Sequence, residues 1–436
     1  MDQGENKLDV DMSHLEISET EVAVEDEAQN TATLRRSGRR KSATEEPPEK
    51  KRVLQKPKKL STNKEHKQIV NYYLDRKIKR TSSCLETIFE MPKGDTYMTM
   101  PLKLTYTKTG HPSDVLRIEE YPMPQPEASE VLVEMLAAAV NPVDINIIQG
   151  KYPIQFPGIG FEGVGRVSKV GPSVTKFRIG EHVVPTTYAG TWRTHLVLDE
   201  ANLISLPKEI GVAEAATFFV NPITMYRMLK DYAPLEPGDT VIQNGANSSC
   251  GLIAIQLCKA WGLNTVNVVR DRPDVGQLKE YLIRSGATYV FTDKEIAGTD
   301  VFKSGKLPKP KLGLNCIGGE SANSILRHID HGGVLVTYGG MSLEPIRVST
   351  STLVFKTVRL DGFNLFKWFS ESGDEDEKAR MFGELIDLMV KGAVRAPPHV
   401  LVDFNRFSEA VEMTLTKNGM VGKKYILDLR AVTSKM

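Results

Sequence analysis

Thr240-Val-Ile-Gln-Asn244, Gly245-Ala246, Asn247-Ser-Ser-Cys-Gly251 and Leu252-Ile-Ala-Ile-Gln-Leu-Cys258 follow one another without interruption. An apolar run with the length of a buried strand passes through a turn of small residues into a run with the length of a helix. In such a unit the first N–H groups of the helix face the turn and, with the helix dipole, favour an anion there. A dinucleotide pyrophosphate binds in this geometry at the first turn of a doubly wound sheet, which makes Asn247, Ser248, Ser249 and Cys250 candidate phosphate contacts. About 20 residues on, where the next strand ends, an NAD site places a carboxylate against the ribose 2′-OH. Here the chain reads Arg270-Asp271-Arg272, and guanidinium groups suit a 2′-phosphate instead. Asp271, lying between the arginines, is expected to orient one of them through an ion pair. The stretch predicts an NADPH site.

Around it the rhythm is strand then helix. Candidate strands fall at 240–244, 264–270, 289–292, 312–318, 333–339 and 358–363, with helical patterns at 248–262, 274–287 and 322–330. This alternation argues a doubly wound α/β domain with a parallel sheet over 221–394. Tyr338, Gly339, Gly340 and Met341 end one of its strands, where ligands of open α/β sheets bind. Upstream, Leu102-Lys-Leu-Thr-Tyr106, Glu130-Val-Leu-Val-Glu-Met-Leu136, Gly163 to Val170 and Glu181-His-Val-Val184 alternate with Gly and Pro joints. They predict a β-rich domain over 101–220. A long helix at about 378–392 precedes Val400-Leu-Val-Asp403 and Lys423-Lys-Tyr-Ile-Leu-Asp428, expected to return to the first domain over 395–432.

Residues 1–92 have another composition. The first 30 residues hold ten Asp or Glu against one Lys, and residues 35–59 hold eleven Arg or Lys against three Glu. Such blocks bury too little apolar surface to offset ordering entropy, so a disordered, acidic-then-basic extension is expected. Ile69, Val70, Tyr73 and Leu74 fit a short helix over Lys64 to Lys79. The basic part reads either as a solvated tail or as a nuclear-import or nucleic-acid contact. The start resembles neither a secretory signal nor an acidic-poor transit peptide. No run of 18 apolar residues occurs, so no membrane span is expected. The four cysteines (Cys84, Cys250, Cys258 and Cys316) show no CxxC spacing, which points away from structural zinc and toward a reducing compartment.

Further segments carry a family resemblance. Val140-Asn-Pro-Val-Asp-Ile-Asn-Ile-Ile-Gln-Gly-Lys-Tyr152, Gly190-Thr-Trp-Arg-Thr194, Val220-Asn-Pro222, Val268-Val-Arg-Asp-Arg-Pro273, Leu314-Asn-Cys-Ile-Gly-Gly319 and Val336-Thr-Tyr-Gly-Gly-Met341 occur in one order. From about 101 to 430 the chain resembles the medium-chain dehydrogenase/reductase superfamily, and within it the mitochondrial trans-2-enoyl thioester reductases. The resemblance implies a GroES-like catalytic domain, a Rossmann cofactor domain, and NADPH-dependent reduction of enoyl thioesters carried on acyl-carrier-protein or coenzyme A. It also implies a homodimer joined near Val358 to Phe363, and a mitochondrial location; nuclear or cytoplasmic placement is the alternative that the extension raises.

The superfamily's zinc enzymes place ligands where this chain has Val140 and Phe161, so no metal is expected. A 2-enoyl thioester is electrophilic at its β-carbon by conjugation. Hydride addition there leaves an enolate that needs hydrogen-bond donors at oxygen and a proton at the α-carbon. The resemblance gives the proton to Tyr152, a phenol that stays protonated at neutral pH; on pattern alone it also reads as a turn tyrosine, with Pro153 holding it extended. Asn221 matches a residue beside the nicotinamide, and it also reads as an Asn-Pro turn opening a helix. Phe363, Asn364, Leu365, Phe366 and Lys424 complete the implied cofactor contacts, although the family more often has Trp at the position of Asn364. Phe366, Trp368 and Phe369 read equally as an acyl channel or as core. A zinc-free quinone reductase shares the superfamily, and a nucleotide-sensing nuclear regulator is the non-enzymatic alternative. The Gln149-Gly-Lys-Tyr152 and Arg270-Asp-Arg272 segments favour the enoyl reading.

Overall fold

A computed structural model of the chain describes residues 100–151, 158–371, 374–415 and 422–433. The extension expected over 1–92, its helix at 64–79, its basic stretch at 35–59, and Tyr152 lie outside the described residues.

Two sheets carry the architecture. Strands Leu102–Thr105 (β1) and Arg117–Glu120 (β2) form a small antiparallel pair. Glu130–Ala139 (β3), Gly163–Val170 (β4), His182–Pro185 (β5), His195–Asp199 (β6) and Leu203–Leu206 (β7) build most of a seven-stranded sheet. Then come Thr240–Asn244 (β8), Asn264–Val269 (β9), Tyr289–Thr292 (β10), Leu312–Asn315 (β11), Val334–Thr337 (β12) and Arg359–Gly362 (β13). These six pair in parallel in the order β10-β9-β8-β11-β12-β13. Finally His399–Asp403 (β14) and Lys424–Asp428 (β15) return to the first sheet, where β15 runs antiparallel to β3.

The parallel order has the dinucleotide-binding form, in which the chain winds outward from β8 on one side and from β11 on the other. Its central strands are buried on both faces, as all five residues of β8 and all four of β11 show. Two strands are shorter than their apolar runs. The run at 312–318 stops pairing at Asn315 because Gly318 and Gly319 turn the backbone at φ +87° and +51°. The run at 333–339 stops at Thr337, where Met341 N–H turns back to donate to the Cys316 carbonyl at 3.1 Å.

The helix Val220–Asp231 joins the two halves. Nine of its twelve residues are buried, including Ile223, Met225 and Met228 at 0% exposure. Each such side chain contributes about 1.5–3 kcal/mol by leaving water. One apolar core runs through it, from Ala137 and Val164 of the first sheet to Val241, Leu314 and Val336 of the second. The interior Arg227 is held by Asp231 (Nε to Oδ2 2.9 Å) and Glu377, and its guanidinium lies 4.4 Å from the Trp368 ring.

The turn after β8 is closed by contact. A Cβ on Gly251 would stand 2.5 Å from the Ala246 carbonyl oxygen and 2.6 Å from its Cα, so only glycine lets the helix Ser249–Ala260 approach the strand. Gln243 locks that approach by donating to the Gly251 carbonyl at 3.0 Å and to Asn267 Oδ1 at 2.8 Å. Gly251→Ala is expected to lower unfolding stability by about 1–3 kcal/mol through backbone displacement. Gly276→Ala, in a helix with open space around it, should instead stabilise by about 0.5–1 kcal/mol. Urea unfolding of the two variants measures both signs.

Candidate active site

The sheet order reverses between β8 and β11, and the crevice at their carboxyl ends is where such sheets bind ligands. Three polar side chains, two of them fully buried, lock those ends together. Asn244 donates to Asn315 Oδ1 at 2.8 Å, and Asn315 Nδ2 donates to Thr337 Oγ1 at 3.1 Å. Asn315 Oδ1 also accepts from Gly318 N–H at 3.1 Å, while Asn244 Oδ1 accepts from Cys316 N–H at 2.9 Å. The ladder spans three neighbouring strands and sets the loops that leave them.

The predicted phosphate residues line this crevice. Ser248 caps the helix, its Oγ accepting from Gly251 N–H at 3.1 Å. The Asn247 carbonyl accepts from Gly422 N–H at 3.3 Å, so the turn is tied to the approach of β15. Ser249 begins the helix, half-buried. Burial pushes the Cys250 thiol up to about 12, which makes it a neutral packing group. Tyr338 faces the same turn; its buried hydroxyl lies beside Ser248 and Cys316 but makes no hydrogen bond of good geometry. A Cβ on Gly339 would stand 3.2 Å from the Cys316 carbonyl oxygen, Gly340 opens to free space, and Met341 is 45% exposed.

One expectation is corrected at the next turn. Arg270 is exposed beyond β9 and Arg272 is half-buried, but the Asp271 carboxylate pairs with Lys294 at 2.9 Å on the loop after β10, not with a neighbouring arginine. The reason is the register of β9 against β10, which brings the two loops side by side; Asp271 N–H donates to Asp293 Oδ1 at 3.2 Å there.

Across the crevice lies a buried charge network. Glu162 is 0% exposed and Lys424 5%, with Nζ to Oε1 at 3.3 Å. Glu162 accepts further from Asn141 Nδ2 at 3.0 Å and from Val220 N–H at 2.8 Å. Lys424 donates to Asn141 Oδ1 and, at 3.3 Å, to Asn221 Oδ1. Asn221 both opens its helix and uses its side chain, donating to Cys250 Sγ at 3.2 Å. Asp144 accepts from Asn141 N–H at 2.7 Å, and burial pushes its carboxyl up to about 7.

An aromatic wall borders the network. Gly160, at φ +100°, packs so closely on Trp192 that a Cβ would meet its ring at 2.4 Å. This turn delivers Phe161, whose ring contacts Phe366 at 4.5 Å and Tyr188 at 4.4 Å. Tyr188 in turn donates its hydroxyl to the Gly158 carbonyl at 2.5 Å. Val140 and Phe161, at the zinc-ligand positions, are apolar and each 1% exposed, and bring no donor atom. Among the described residues no group of three His, Cys, Asp or Glu is placed to hold a metal ion. Phe363 continues from β13, with its N–H on the Thr337 carbonyl at 2.9 Å. Asn364 caps the helix Leu365–Glu371 through its Oδ1. Leu365 is core, 6% exposed, so its side chain serves packing. Trp368 and Phe369 likewise pack on the core, the Phe369 ring tilted against Phe219 with centroids 5.0 Å apart.

The structure thus gathers Asn221, Cys250 and Lys424 into one network, with Asn247, Ser248, Ser249 and Tyr338 on the adjoining turns, and leaves Arg270 to Arg272 at the outer corner of the sheet. Sequence reasoning missed Asn141, Asp144, Glu162, Asn244, Asn315 and Lys294. The signal available for the first five was a polar residue inside or beside an apolar run, which must find a partner once buried.

Comparison with known proteins bears on the family and the fold. The family model described as alcohol dehydrogenase GroES-like domain matches residues 127–208, and that described as zinc-binding dehydrogenase matches residues 250–382. The mitochondrial enoyl-[acyl-carrier-protein] reductase of Xenopus tropicalis is 43% identical over 333 residues, covering 74% of this chain and 94% of the relative. The solved complex of Etr1p with NADP and crotonyl-CoA superposes with a TM-score of 0.70 at 29% identity, covering 76% of this chain and 99% of that one. The Etr1p/Etr2p heterodimer of Candida tropicalis, a mitochondrial 2-enoyl thioester reductase, gives a TM-score of 0.69 at 29% identity over 76% of this chain and 99% of that one.

Removing Lys424 tests the network. Lys424→Met leaves Glu162 charged and buried, and is expected to cost about 3–5 kcal/mol. The double variant Glu162→Gln, Lys424→Met should recover much of it. Chemical denaturation of the two proteins checks the order.

Proposed function

The chain belongs to the medium-chain dehydrogenase/reductase superfamily, in its enoyl thioester reductase branch, and from that premise we propose NADPH-dependent reduction of trans-2-enoyl thioesters to saturated acyl thioesters, in the fatty acid synthesis of mitochondria. The carrier is acyl-carrier-protein or coenzyme A. One observation carries the reading: the crevice at the sheet's switch point faces the apolar wall of Phe161 and Phe366, with apolar side chains in place of zinc ligands. That wall suits a conjugated substrate, whose β-carbon is electrophilic without further polarisation.

The residues fit the cofactor. Gly251 and Gly339 keep the two loops free of Cβ atoms at the points of closest approach, the helix N-terminus favours the pyrophosphate, and the buried Tyr338 hydroxyl is a donor facing that turn. Arg270 and Arg272 would take the 2′-phosphate. When bound, the reduced nicotinamide supplies the hydride accepted by the β-carbon. The protein's part is to hold the thioester against the aromatic wall, keep water out, and stabilise negative charge on the thioester oxygen through N–H or hydroxyl donors. Tyr152 delivers the proton to the α-carbon. Asn221 would border the nicotinamide end, held in place by Lys424, whose ammonium is engaged by Glu162, Asn141 and Asn221.

We assign the active form to a homodimer joined at β13. That strand is an unpartnered edge of the parallel sheet, exposing Leu360 at 43%, and the preceding helix Thr350–Lys356 exposes Val354 at 59% and Phe355 at 76%. Unpaired backbone beside an apolar patch is a surface that a second copy covers.

Three measurements follow. The protein should oxidise NADPH with a crotonyl thioester; turnover of a quinone alone would overturn the assignment. Tyr152→Phe should lower kcat by about 10²–10⁴ while NADPH affinity stays roughly constant. Phe355→Asp should shift the protein toward monomers in sedimentation velocity, and an unchanged dimer would move the interface elsewhere.

A further inference from the structure

We propose that Lys294 sets coenzyme preference by withdrawing Asp271 from the ribose, making it a specificity-determining residue that acts through a neighbouring carboxylate. The inference rests on the NADPH reading above and adds a residue to it. A carboxylate just past the second strand of a dinucleotide-binding sheet is the group that binds the ribose 2′-OH and favours NADH. Asp271 stands two residues beyond the end of β9 at Val269, so this chain carries such a carboxylate between its two arginines. Left free, it would attract a 2′-OH and repel a 2′-phosphate.

The structure gives that carboxylate another occupation. Lys294 Nζ lies 2.9 Å from Asp271 Oδ2, and Asp293 Oδ1 takes the Asp271 N–H at 3.2 Å. The ion pair keeps the carboxyl below the usual carboxylate range, so Asp271 stays ionised and engaged with the lysine at neutral pH. Lys294 itself is 79% exposed, yet its backbone is firmly presented. Glu295 Oε2 accepts from Thr292 N–H at 2.7 Å, Glu295 N–H donates to Thr292 Oγ1 at 3.1 Å, and Lys279 pairs with the same Glu295 at 2.7 Å from Nζ to Oε1. This reciprocal turn closes β10 and points residue 294 back at the loop after β9. Asp293 N–H continues the ladder to the Val269 carbonyl at 3.0 Å. The corner therefore holds three cations, Arg270, Arg272 and Lys294, and two carboxylates, of which Asp271 is paired with Lys294 and Asp293 accepts the Asp271 N–H.

The test is direct binding. NADPH and NADH are titrated into the full-length protein at low ionic strength, by quenching of protein fluorescence, for the wild type, Lys294→Met, Lys294→Arg, Asp271→Ala, and the Lys294→Met, Asp271→Ala double variant. Exposed ion pairs are individually weak, so effects of about two- to fivefold are expected. Lys294→Met should tighten NADH and weaken NADPH, and Lys294→Arg should behave as wild type. In the Asp271→Ala background, Lys294→Met should no longer change NADH affinity. If Lys294→Met leaves NADH affinity unchanged or lowers it, the inference is overturned. A wild type that binds both coenzymes equally defeats the NADPH reading instead, and the two failures are told apart by which titration shows them.

Discussion

An ammonium group buried between two lobes needs partners from both, and Lys424 has them. Glu162 and Asn141 reach it from the β-rich lobe and Asn221 from the shared helix, with β15 itself hydrogen-bonded to β3. Charges at 5% and 0% exposure are costly to bury, and they are tolerated where every lone pair and proton is matched. The match exists in one relative placement of the parts, because Glu162 must also accept the N–H of Val220 at the start of the helix. The pair therefore specifies how the lobes meet, and the cleft takes its shape from that.

The two sides of the cleft are built by different physics. On the sheet side, amide side chains in the interior of apolar strands pay their desolvation by bonding one another, and the Asn244, Asn315 and Thr337 ladder holds the strand ends in register. On the other side, close glycine contacts set the backbone and aromatic rings fill the space. Gly160 sits against Trp192, and Trp192 donates its indole N–H to the Ala139 carbonyl at 3.1 Å, so Phe161 is fixed from two directions. A rigid polar floor opposite a dry apolar wall suits a substrate with a charged carrier end and a hydrocarbon end.

Much of this was legible beforehand. The strand, small turn and helix around Asn247 are local, and local periodicity with Gly251 is enough to foretell them; the same holds for the alternation out to β13. The carboxyl-terminal strands were expected in the first domain, and β14 and β15 lie there. Strand ends were less legible, since residues 316–318 are as apolar as the strand before them and only the positive-φ glycines stop the pairing. The role of Asp271 was misread, because its partner lies 23 residues away and is brought near by β-pairing. Glu162, Asn141 and Lys424 could not be joined by spacing at all: Lys424 and Asn141 are 283 residues apart.

By itself, then, the amino-acid order determined the elements, the winding of the sheet, the small-residue turn after β8 and the family, all of which depend on short-range patterns of apolar, small and charged residues. Tertiary structure decided which buried polar groups meet, which arginine-side carboxylate is neutralised, and which ring occupies the place of a metal ligand. Those outcomes depend on burial and distance. A polar side chain becomes committed to a partner only when water is removed from both, and that happens after distant segments have packed together.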